Sequence, residues 1–114
     1  MTKERKEYIL KIYRSYEENK RLLAYEATKR EEDKSPGEKE YCEILRKEVE
    51  VVDKMLFNAG LDGEDKKKFI EQHLIKGVSK LRVSFDCYVV NRTLTRWKES
   101  VIFSTDKCLA TYGI

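Results

Sequence analysis

A chain of 114 residues and 13.6 kDa leaves room for one compact domain, or a small domain with a helical extension, and argues against a multidomain enzyme. Charged residues at 39%, hydrophobic residues at 40% and aromatics at 11% are too polar for a membrane protein yet apolar enough for a folded core. The net charge of +3 is too small to assign a partner by itself, so its distribution along the chain matters more.

No apolar run approaches the roughly 20 residues that span a bilayer. The interleaved charges of Met1 to Lys11 lack the apolar centre of a signal peptide, so a cytoplasmic protein without membrane contact is expected. Cys42, Cys87 and Cys108 are odd in number and far apart, which suits reduced, buried thiols better than a disulfide framework or a zinc site.

Residues 3 to about 32 contain no Gly or Pro, and Ile9, Ile12, Tyr16, Leu23 and Ala27 recur at helical spacing. This predicts a long amphipathic helix, with Glu7–Lys11, Glu17–Arg21 and Glu26–Arg30 as favourable pairs on its outer surface. Ser35, Pro36 and Glu38 then form a helix start, with a capping side chain, a pre-set φ at the first helical position and a capping-box acid. The second helix carries a stripe of Tyr41, Leu45, Val52, Met55 and Ala59, widened by Ile44, Val51 and Leu56, and is expected to end at Gly60. Two such helices joined by a short polar turn make an antiparallel hairpin. Its stripes can bury each other or a second copy of the chain, giving a homodimer, or else pack against the C-terminal half of the same chain. Asn19 and Glu48 fall on the stripes, where they weaken a coiled coil but can specify register.

Leu61 to Asp65 open a third helix, with Phe69, Ile70 and Leu74 at helical spacing and a stop at Gly77. His73, the single histidine, has no acid or cysteine constellation near it in sequence and reads as a surface or partly packed residue.

Residues 78–98 admit two readings. Leu81, Val83, Phe85 and Cys87 alternate with Arg82, Ser84 and Asp86, the period-two pattern of a half-buried strand. The same segment has helix-turn-helix spacing, with small Ser84 at the close approach, Val89 in the turn, and Leu94 and Trp97 facing inward. That reading requires Tyr88 to take a turn conformation in which glycine is usual. The expected architecture is therefore mainly α, a helical hairpin over 1–60 followed by a helix-turn-helix domain over 61–114. An α+β chain with a short C-terminal β-hairpin is the alternative.

The basic excess also lies here. Residues 1–60 hold 14 Lys+Arg against 14 Asp+Glu, residues 61–114 hold 10 against 7, and between Lys76 and Lys98 six basic residues meet the single acid Asp86. Such a patch favours phosphate backbones or an acidic protein partner, the plain alternative being a solvated surface.

The run Val89-Val90-Asn91-Arg92-Thr93-Leu94-Thr95-Arg96-Trp97, after Lys66 to Leu74 and a short helix, resembles phage-encoded late-gene transcription activators of the RinA and ArpU type. The resemblance covers about residues 61–112. It implies a DNA-binding end similar to region 4 of sigma factors, a phage or prophage origin, a bacterial host, and binding of promoter DNA through the second helix of the motif, from about Asn91.

The residues point the same way without it. A helix from Asn91 to about Thr111 with Leu94, Trp97, Val101, Cys108 and Tyr112 inward presents Asn91, Arg92, Thr95, Arg96 and Glu99 outward. Arginine can bond guanine bidentately and asparagine adenine, so these are the candidate base contacts. Lys76, Ser79, Lys80 and Arg82 are the candidate phosphate contacts. Trp97 reads as a core anchor in preference to a base-stacking residue. With no Gly-rich phosphate loop, nucleophile elbow, carboxylate pair or metal motif, neither catalysis nor a cofactor nor a metal is expected. The expected function is a sequence-specific, double-stranded-DNA-binding transcriptional regulator, dimeric, with RNA polymerase or another host protein as a further partner. The alternative is a phage-encoded protein-interaction module or inhibitor that uses its charged helices against a host protein.

Overall fold

Three of the helices start where a capping hydroxyl precedes a helical apolar stripe. The computed structural model describes residues 1–114, Glu31 by its backbone alone. The Thr2 hydroxyl accepts from the Arg5 amide at 3.1 Å and opens α1, Lys3–Arg14. Ser15 interrupts the regular geometry, and α2 continues as Tyr16–Glu26. After a 3₁₀ turn at Glu31–Asp33, Ser35 accepts from the Glu38 amide at 3.2 Å and starts α3, Pro36–Asp62, with Pro36 in the first turn as its spacing predicts. A short α4, Glu64–Phe69, widens into a π-helical turn over Ile70–Ile75. Ser79 then caps α5, Lys80–Cys87, and α6 runs over Asn91–Thr111.

The chain is mainly α, as its composition and spacing predict, and the α+β alternative is set aside: among the described residues there is no strand, and residues 80–87 are helical. The alternation of Leu81, Val83, Phe85 and Cys87 misleads because only Val83 and Cys87 are buried, four residues apart and so on one helical face. Leu81 and Phe85 are 65% and 72% exposed on the opposite side.

Other expectations need adjustment. The first helix is two segments ending at Glu26, short of residue 32, so Ala27 is exposed and Glu26 pairs with Lys29 at 3.0 Å in place of Arg30. Gly60 lies inside α3, and the break falls at Gly63, whose φ of 152° and ψ of 153° end one helix and begin the next.

One apolar cluster draws on every helix except α2's outer turns: Ile9, Ile12 and Tyr13 of α1, Val51 and Val52 of α3, Phe69, Ile70 and Leu74 of α4 and the π turn, Val83 of α5, and Leu94, Val101 and Leu109 of α6. Each such side chain, fully buried, contributes about 1.5–3 kcal/mol. Leu45 and Val52 of the α3 stripe are buried within the chain. Polar ties cross the same interfaces. Buried Tyr13 donates to Thr105 Oγ1 at 2.7 Å, and Thr105 passes its own proton to the Val101 carbonyl at 2.6 Å. Arg5 Nε reaches Asp106 at 2.6 Å, and the Tyr8 hydroxyl donates to Glu48 at 2.7 Å. Glu48 thus has a partner for its position on the stripe. Burial raises the Cys87 thiol above its usual pKa, which suits an inert core residue. Among the described residues no helix is long and apolar enough to cross a membrane.

Candidate nucleic-acid interface

The joint between α5 and α6 is three residues long, Tyr88-Val89-Val90. Tyr88 adopts the left-handed conformation, φ 56° and ψ 35°, so the chain makes with tyrosine the turn that glycine makes without strain. Ser84 holds the turn from below: its hydroxyl donates to the Val89 carbonyl and its own carbonyl accepts from the Val89 amide at 3.2 Å. A larger residue at position 84 would lose this bond and crowd the approach. The first residue of α6 follows at once, and its N-cap, Val90, offers no side-chain acceptor to the first amides.

Asn91, Arg92, Arg96 and Glu99 are exposed on the first turns of α6. Arg92, Arg96 and Glu99 lie three and four residues apart and share a face. Among the described residues neither arginine has a carboxylate within 4.0 Å. Thr95 is half-buried and engaged, donating to the Asn91 carbonyl at 3.1 Å and accepting from Lys80 Nζ at 3.2 Å.

The four phosphate candidates separate. Lys80 faces α6 through Thr95, whereas Arg82 lies on the outer face of α5 with Asp86 at 3.9 Å. Ser79 is occupied as the cap of α5, accepting from the Arg82 amide at 3.3 Å. Exposed Lys76 lines a hollow with Tyr16, Glu17 and Glu71.

Around Lys80 the fold gathers cations that lie far apart in sequence. The π turn carries His73, whose Nδ1 donates to the Val78 carbonyl at 2.7 Å, which leaves Nε2 as an acceptor 3.4 Å from Lys98 Nζ. Phe69 stacks on the imidazole with ring centroids 5.4 Å apart, and Trp97 meets Phe69 edge-on at 6.1 Å, consistent with a packing role for the tryptophan. Gly77, at φ 78°, lets the Arg14 guanidinium in: a Cβ there would lie 2.1 Å from Arg14 Nη1. Burial first, then Lys98, Arg14 and Lys80, hold the His73 pKa below its usual value against the opposing Val78 bond. Burial, then Lys80, Lys6 and Arg14, do the same to Lys98. Charged groups from α1, α5 and α6 therefore share one corner, where Lys80, Lys98 and His73 are half-buried and Lys6 and Arg14 stay exposed at its rim. None of these cations has a carboxylate within 4.0 Å among the described residues. Lys6 and Arg14 carry no sequence signal for this role, since they sit in an evenly charged helix more than sixty residues from the basic patch.

The described residues gather no trio of His, Cys, Asp or Glu able to hold a metal ion. No family model, curated protein or solved structure matches this chain.

Proposed function

We propose that the chain is a sequence-specific DNA-binding transcriptional regulator that lays the first turns of α6 along duplex DNA. The observation that carries the reading is a helix, joined to α5 by a tight turn, whose exposed first turns present Asn91, Arg92 and Arg96 with no competing carboxylate bond to the arginines. Such side chains suit base edges in a major groove wide enough to admit a helix. The uncapped amides at the start of α6 favour a phosphate alongside. Phage origin and the likeness to late-gene activators, carried by Val89 to Trp97, belong to the same proposal, as does a dimer on paired half-sites.

Duplex binding measured against salt tests it. Each phosphate neutralised releases condensed counterions, giving a slope of about −0.9 per contact on a log–log plot. Affinity that stays flat between low and physiological salt removes the phosphate contacts and the proposal with them.

A protein partner is the second reading, and a specific observation favours it. Leu81, Phe85, Tyr88 and Val90 are 65%, 72%, 96% and 67% exposed on α5 and its turn. An apolar surface of this kind suits a protein better than a phosphate backbone. Absence of duplex binding at any salt, with the fold intact, selects this reading.

A further inference from the structure

The corner where α1, the π turn, α5 and α6 meet holds more positive charge than the fold needs. Lys98 is half-buried and drawn onto His73 Nε2 at 3.4 Å, Arg14 is drawn against the bare backbone of Gly77, and Lys80 is held by Thr95 at 3.2 Å. Lys6 acts on the same corner from one face of α1. Such repulsion disfavours folding unless an anion compensates it. A solvated surface accounts for exposed Lys6 and Arg14 but fits poorly for half-buried Lys98, which lies 3.4 Å from the half-buried His73 ring. A buried ion-pair network fits no better, because no carboxylate reaches these cations among the described residues.

We infer that Arg14, Lys80 and Lys98, with His73 against Lys98, form a binding site for a phosphate group. The inference deepens the DNA reading, since one such phosphate belongs to the duplex backbone beside α6; free inorganic phosphate has the same chemistry and is the other source. Arg14 supplies a fork of N–H donors that suits two phosphate oxygens, and Lys80 and Lys98 supply point charges from neighbouring helices. His73 senses the occupant. Burial is the first cause of the lowered His73 pKa and the neighbouring cations add to it, so an anion beside Lys98 removes the cationic part and the pKa should rise on binding. The groups that face His73 are Lys98 from α6, Arg14 from α1, Lys80 from α5 and the Phe69 ring of α4.

The experiment follows the His73 ring protons by NMR through a pH titration of the intact protein. It is run in chloride, in millimolar inorganic phosphate at equal ionic strength, and with a short DNA duplex. As the only histidine, His73 gives an unambiguous signal. The expected result is a midpoint below the usual histidine value in chloride that rises in phosphate and in duplex. A second expectation uses Lys98→Met and Arg14→Gln, which remove one cation each. Phosphate binding should weaken by roughly tenfold or more in either variant, while Lys98→Met, freed of repulsion, should melt no lower than the parent in chloride. An unchanged midpoint in both phosphate and duplex overturns the site. Equal effects of chloride and phosphate also overturn it, because they show screening and an adventitious ion only. Salt-dependent duplex binding with an unmoved His73 overturns this site and leaves the DNA reading standing. A midpoint moved by phosphate, with no duplex binding at any salt, supports the site as one for free phosphate and removes the DNA reading.

Discussion

Tyr88 is the residue where local chemistry and fold disagree most openly. A left-handed tyrosine costs about 1–2 kcal/mol relative to a residue without a Cβ, and at 96% exposure its side chain recovers little by packing. Tyr88→Gly should therefore raise the stability of the free protein by about 1 kcal/mol in urea unfolding; a loss of similar size would show that the exposed ring has a structural contact. Tyr13 is the opposite case, fully buried with its hydroxyl spent on Thr105. Tyr13→Phe keeps the ring and removes one bond, so a loss of about 1 kcal/mol in the same measurement is expected. The titration of His73 bears on stability as well. Its folded pKa lies below the ordinary 6.5, so under that pH the unfolded chain binds more protons than the folded one. Stability should be full above pH 6.5 and fall as pH drops below it, and His73→Gln should flatten that part of the profile.

The elements differ in how far they could be read from the residues. Ser35-Pro36 marks its helix in the sequence because capping is local: a hydroxyl bonds an amide three residues on, and nothing distant alters it. Ser79 makes the same bond, but in the sequence it reads only as a phosphate candidate. The start of α6 at Asn91 is legible from the helix-turn-helix spacing, with Leu94, Trp97 and Val101 recurring at helical intervals after the turn. The segment before it stayed ambiguous because period two and period four both fit Leu81 to Cys87. Only tertiary packing, which buries Val83 and Cys87 and leaves Phe85 outside, decides between them. The π turn was illegible for a different reason. One wider turn over Ile70–Ile75 leaves the apolar spacing nearly unchanged, yet it orients His73 toward Val78 and Lys98. Gly77 sits just beyond it at a positive φ, against Arg14. Gly77→Ala should destabilise the protein by more than about 1 kcal/mol, from backbone strain together with displacement of the guanidinium. Pairing it with Arg14→Ala should recover part of that loss in thermal unfolding, leaving the strain; an unchanged loss would mean the two residues do not meet.

At the scale of the whole molecule, the candidate base contacts were visible because they lie within nine residues on one helix, Asn91 to Glu99. The cation cluster was not, because α1 brings Lys6 and Arg14 from the far end of the chain and no periodicity records that meeting. The same packing makes α1 part of the support for α6: Ile9 and Tyr13 share a core with Leu109, and Arg5 holds Asp106 at 2.6 Å. The segment 61–114 expressed alone should consequently show much less helix by circular dichroism than its share of the intact chain; native helicity would mean that α1 is dispensable to it.

If α6 reads bases while Lys80 holds the backbone, substitutions at the two places should differ in kind. After selection of a preferred site from random duplexes, dissociation constants are measured on that site and on random DNA for the parent, Arg92→Ala, Arg96→Ala and Lys80→Ala. Each arginine variant should lose roughly 1–3 kcal/mol on the preferred site, with a smaller gap to random DNA. Lys80→Ala should weaken both duplexes about equally and reduce the salt slope by about one. Equal losses on both duplexes for all three variants would contradict base reading by α6, and no loss in any of them would contradict DNA binding through this face altogether.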